Sequence, residues 1–129
     1  MFEKLLEKLT AAGLDAREEN ICAGQYFDGA DHGELFPVVR VETDFSVPFS
    51  LLDGICKRRG LVYDWFTCWG CGVRTVTIWR ADDREKARAL DNVARAFLDA
   101  FWMYRHEHGP ENVAGMIRAG RAAVAKMEG

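Results

Sequence analysis

The hydrophobic pattern of this chain switches from the period of a helix to that of a strand and back. That alternation restricts the available folds more than any bulk property does. Phe2, Leu5, Leu6 and Leu9 fall on one helical face with Glu3, Lys4, Glu7 and Lys8 opposite, and Gly13 is placed to stop the helix. Residues 18 to 27 read as a strand of imperfect alternation. The polar turn Asp28 to Glu34 leads to a clearer strand, with Val39, Val41, Thr43 and Phe45 on one side and Arg40, Glu42 and Asp44 on the other. Together these two segments predict a hairpin. Ser46 is placed to cap a short helix that takes Pro48 in its first turn and buries Leu51, Leu52 and Ile55. That helix ends at Gly60, with Lys57, Arg58 and Arg59 near its negative end.

Residues 61 to 67 and 73 to 80 are rich in β-branched and aromatic side chains and flank Cys68-Trp69-Gly70-Cys71-Gly72, which predicts a second hairpin. Asp82 and Glu85 stand at capping-box spacing for a long helix over residues 83 to 107. After Gly109-Pro110, the positions of Val113, Met116, Ile117, Val124 and Met127 mark a last amphipathic helix, against the propensity of Gly115 and Gly120.

The order is therefore α-β-β-α-β-β-α-α. Its simplest architecture is an α+β fold of two layers, a largely antiparallel four-stranded sheet covered by helices. A chain of 129 residues can bury its core as one domain over residues 1 to 129. The element order resembles that of the small α/β chaperones of bacterial secretion systems at the level of architecture, without a shared motif. The first residues carry charge instead of a signal-peptide core, and no apolar run is long enough to span a membrane, which predicts a cytoplasmic protein. In that compartment Cys22, Cys56, Cys68 and Cys71 are expected as thiols or metal ligands. Charge is polarised: residues 1 to 56 hold 4 basic and 11 acidic side chains, and residues 57 to 129 hold 13 and 9. Such a field orients a partner or a second copy of the chain.

Several local groupings bear on function. Cys68-x-x-Cys71-Gly72 has the spacing at which two thiolates converge on a tetrahedral metal, so zinc is the candidate cofactor, although no second Cys-x-x-Cys completes a four-ligand set. A thioredoxin-like redox role needs a helix after the first cysteine, whereas strand follows here. Lys57, Arg58, Arg59, Arg74 and Arg80, close in sequence to Trp79 and other aromatics, could contact nucleic acid. His32 lies between Asp31 and Glu34, the raw material of an acid–base site, but also of an ordinary polar turn. Phosphate loops and paired zinc-hydrolase histidines are absent from the sequence.

The long helix has more apolar surface than one buried stripe requires. Phe97, Leu98, Phe101, Trp102, Tyr104 and Arg105 form its candidate partner-binding set, and either the last helix or another chain must cover the excess. The reading that follows is a non-catalytic protein-interaction module, chaperone-, adaptor- or inhibitor-like, such as a phage or mobile-element accessory protein. It would act through the aromatic helix or the open sheet face, on another protein or as a homodimer. The alternatives are a zinc-knuckle or nucleic-acid-binding protein built on Cys68 and Cys71, and a small enzyme with a site near His32.

Overall fold

The structure, a computed structural model, describes residues 1–44 and 46–129; Phe45, expected on the apolar side of the second strand, lies outside the described residues. Its elements are α1 (Glu3–Ala11), β1 (Asp15–Ala23), β2 (Glu34–Thr43), α2 (Phe49–Lys57), β3 (Leu61–Cys68), β4 (Val73–Arg80), α3 (Ala81–His108) and α4 (Val113–Glu128). The strands form one antiparallel sheet in the order β1-β2-β4-β3. The hairpins join through β2 and β4, with Val39 opposite Ile78 and Thr43 opposite Arg74. In the second hairpin Leu61 faces Arg80 and Cys68 faces Val73. This order leaves β1 and β3 as the outer strands.

The chain divides into two compact units, residues 1–21 with 36–84 and residues 22–35 with 85–129. In the first unit, the period-two pattern sends Val39, Val41, Val76 and Ile78 to one sheet face. There they meet Leu5 and Leu9 of α1 and Leu52 and Ile55 of α2, all buried. Burying each such aliphatic side chain contributes about 1.5–3 kcal/mol. The opposite face carries Arg40, Phe66, Thr75 and Thr77 around an open hollow of about 360 Å³.

Two predicted caps differ from what forms. The α2 helix starts at Phe49 with Pro48 at its N-cap. Ser46 instead turns back to Asp44, which accepts its backbone N–H at 2.8 Å and its hydroxyl as well. A local Asx-type turn thus competes successfully for the side chain that would have capped the helix. The α3 helix begins directly after β4, at Ala81, so Asp82 lies inside its first turn and is not its cap. There the carboxylates of Asp82 and Asp83 face the positive helix end, and Asp83 also pairs with Arg80 at 2.8 Å.

The second unit is a helical pair with the 22–35 loop packed on it. Asn112 caps α4 by accepting the Gly115 N–H at 2.9 Å. Phe97 is fully buried, with Ala94, Val124 and Tyr26 around it. Gly115 and Gly120, which argue against a helix by propensity, are the points where α3 rings lie on the α4 backbone. A Cβ at position 120 would sit 2.5 Å from the Phe97 ring, and one at position 115 would strike the Tyr104 ring and hydroxyl. The loop is held by Gly24 N–H donating to Asp91 at 2.8 Å and by a Lys86–Glu34 ion pair at 2.8 Å. Among the described residues, no helix is long and apolar enough to cross a membrane.

Candidate functional site

Because β3 ends the strand order, its outer edge has no strand partner among the described residues, and a row of backbone N–H and C=O groups faces outward. A groove of about 640 Å³ is lined by Leu61, Val62, Tyr63 and Trp65 of β3 and by Asp53, Cys56 and Lys57 of α2. Successive strand residues point to opposite sheet faces. A hollow that touches Leu61, Val62 and Tyr63 in turn therefore runs along the edge of the strand, not over one face.

The groove walls are ordered by polar contacts. The Tyr63 hydroxyl donates to Asp53 at 2.5 Å. Burial, that hydrogen bond and the nearby carboxylate charge push the Tyr63 phenol up to about 12. Burial also pushes the Cys56 thiol up to about 11, so Cys56 is an inert, protonated wall residue. Arg84 holds Asp64 through two guanidinium nitrogens, one of them at 3.1 Å.

Aromatic side chains flank this edge on both sheet faces. Trp65 is 54% exposed, Phe66 70% and, at the turn, Trp69 85%. Trp65 packs on Phe49 with ring centroids 5.2 Å apart, and the Arg74 guanidinium lies 4.4 Å from the Phe49 centroid and 5.6 Å from that of Trp65. Arg74 thereby fixes the orientation of the half-buried Phe49 ring and the exposed Trp65 ring.

At the hairpin tip, Gly72 has φ +71° and donates its N–H to the Cys68 carbonyl at 2.9 Å. Glycine accepts this left-handed backbone without strain. The turn brings the two cysteines together: the Cys71 thiol and the backbone N–H groups of Cys71 and Gly70 are directed at the Cys68 sulfur and hold the Cys68 thiol below its ordinary value. The Cys71 sulfur is also 3.9 Å from the Cys68 carbonyl oxygen. Among the described residues no group of three or more His, Cys, Asp and Glu side chains is placed to hold a metal ion.

The other candidate residues are dispersed. Of the basic set, Lys57, Arg58 and Arg59 are exposed at the end of α2, and Arg80 pairs with Asp83. Arg59 and Arg80 line a separate cavity of about 670 Å³, whereas Trp79 is buried. Its indole N–H finds no hydrogen-bond partner among the described residues, and the buried ring offers no surface for base stacking. On α3, Phe97 lies in the core and Tyr104 against Gly115, whereas Leu98, Trp102 and Arg105 stay exposed and Phe101 is half-buried. The Arg105 guanidinium covers the Trp102 ring at 5.1 Å.

His32 is not isolated. Its ring stacks on Tyr26 with centroids 4.0 Å apart, and its Nε2 lies 2.7 Å from Asp28 Oδ1. Arg121 contacts the second oxygen of Asp28 and its carbonyl. Partial burial pushes the Asp28 carboxyl up, but hydrogen bonds from the Ala30 N–H, His32 and Arg121 outweigh it and leave the pKa lowered. The adjoining hollow of about 220 Å³ is lined by no serine or cysteine. The cluster has the geometry of a loop anchor, with the histidine ring held between Tyr26 and Asp28.

The fold makes this chain an α+β protein with a four-stranded antiparallel sheet. No protein-family model, curated protein or solved structure matches it.

Proposed function

We propose that this chain is a non-catalytic protein-binding module that recognises an extended segment of a partner protein along the outer edge of β3. The observation that carries this reading is the groove beside β3, because it joins an unpaired strand edge to exposed aromatic anchors on both faces. Backbone hydrogen bonds to an added strand supply affinity without sequence preference, and side chains that alternate toward Trp65 and Phe66 supply specificity. Lys57 and Arg84, which line the groove, favour an acidic partner segment. An adaptor, a chaperone or an inhibitor would use such a surface in the same way. Sequence reasoning placed recognition on the aromatic helix or the open sheet face; the strand edge was invisible to it because strand order is not a local property.

Selection from a library of extended acidic peptides tests the reading, followed by amide hydrogen exchange of the complex. Binding should protect β3 amides, and Trp65→Ala with Phe66→Ala should weaken it at least tenfold, about 1.4 kcal/mol. Protection confined to residues 98–105 of α3, or unchanged affinity in the double variant, would sink the proposal.

A further inference from the structure

We infer that the Cys68–Cys71 turn is half of a tetrahedral thiolate site for zinc or a similar thiophilic divalent ion, completed by the same turn of a second copy of this chain. A tetrahedral ion about 2.3 Å from each sulfur sets neighbouring sulfurs about 3.8 Å apart, close to the span of a thiol–sulfur hydrogen bond. The turn already folds Cys71 back onto Cys68, with its sulfur 3.9 Å from the Cys68 carbonyl oxygen, so both thiols belong to one hairpin tip. Gly72, with φ +71°, closes the turn by donating its N–H to the Cys68 carbonyl at 2.9 Å.

A structural zinc site takes four ligands, and no third His, Cys, Asp or Glu groups with this pair among the described residues. A two-fold axis through the metal supplies the missing pair with the fewest additional assumptions, since each copy presents the same two sulfurs. The local surface permits that approach. Residues 65 to 75 contain no carboxylate, and Arg74 offsets part of the negative charge of four thiolates. Trp69, at 85% exposure, is placed at the tip to be covered in such a contact. This site is separate from the β3 groove, and its test reads neither peptide binding nor activity.

Reduced protein should be titrated anaerobically with cobalt(II) as a spectroscopic substitute, then with zinc(II), while its mass is followed by analytical ultracentrifugation. The expected result is a thiolate-to-cobalt charge-transfer band that saturates at one ion per two chains, displacement of cobalt by zinc, and metal-dependent doubling of mass. Cys71→Ser, with an unchanged circular dichroism spectrum, should lose both the band and the dimer. No charge-transfer band, saturation at one ion per monomer, or a dimer that survives chelation would each overturn the inference.

Discussion

Replacing Gly120 by alanine tests the packing of the helical pair, because propensity and packing act on it in opposite directions. Alanine is favoured over glycine by about 1 kcal/mol in a helix interior. At this position, however, the new methyl would lie 2.5 Å from Cδ2 and Cε2 of Phe97 and 2.9 Å from its Cγ. Carbon atoms pack at about 3.5–4.0 Å, so a shift of about 1 Å is required. The ring has little room for it, being fully buried with the Tyr26 centroid 4.7 Å and the Phe101 centroid 6.1 Å away. Overpacking of this kind costs about 1–3 kcal/mol. Taking the upper end for so close a contact and subtracting the propensity gain leaves a net loss of about 2 kcal/mol, or about 8 °C in Tm for a chain of this size. Gly54→Ala in α2 is the control. Nothing lies within 4 Å of its Cβ position, so the same change should stabilise by about 1 kcal/mol. Thermal unfolding followed by circular dichroism measures both. In a Phe97→Ala background, Gly120→Ala should become neutral or stabilising. A Gly120→Ala protein as stable as the parent would refute the reasoning, because it would show that the ring does not rest on the α4 backbone.

Two further predictions concern the walls of the groove. Cys56, buried with its thiol pushed up to about 11, should resist alkylation in the folded protein at about pH 8 while Cys71 reacts readily. Peptide mapping after labelling checks this, and equal labelling of the two would contradict the packing of α2. For Tyr63, the folded phenol titrates near 12 against about 10 in an unfolded chain, so the folded state holds its proton more tightly. Its contribution to stability is fully present below about pH 10 and is lost as pH rises through the folded value. Tyr63→Phe should therefore flatten the alkaline decline in stability, and the parent-minus-variant phenolate absorbance should rise near pH 12; a rise near pH 10 would dissolve the Tyr63–Asp53 link.

Much of the architecture was legible in the linear pattern, because amphipathic periodicity is a local property imposed by burial of one face. The alternation of Val39 and Val41 against Arg40 and Glu42, and the helical spacing of Leu5 and Leu9, each specify an element and the side it buries. All eight elements appear in the predicted order, with β1 displaced toward the N-terminus by three to four residues, at Asp15–Ala23. The Cys68–Cys71 turn between two strands was equally readable, since it lies within five consecutive residues.

Other features depended on which distant segments meet. Ser46 and Asp82 carry the residue types of helix caps, yet neighbouring side chains and the immediate passage from β4 into α3 gave them other roles. Phe97 and Leu98 are adjacent and both apolar, but only the approach of Gly120 in α4 makes one the centre of a core and leaves the other exposed. The outer position of β3, and with it the groove against α2, follows from the order β1-β2-β4-β3. Periodicity states which face of a segment avoids water. Which partner covers that face, and which strand edge is left without one, is decided by long-range packing that no local pattern records.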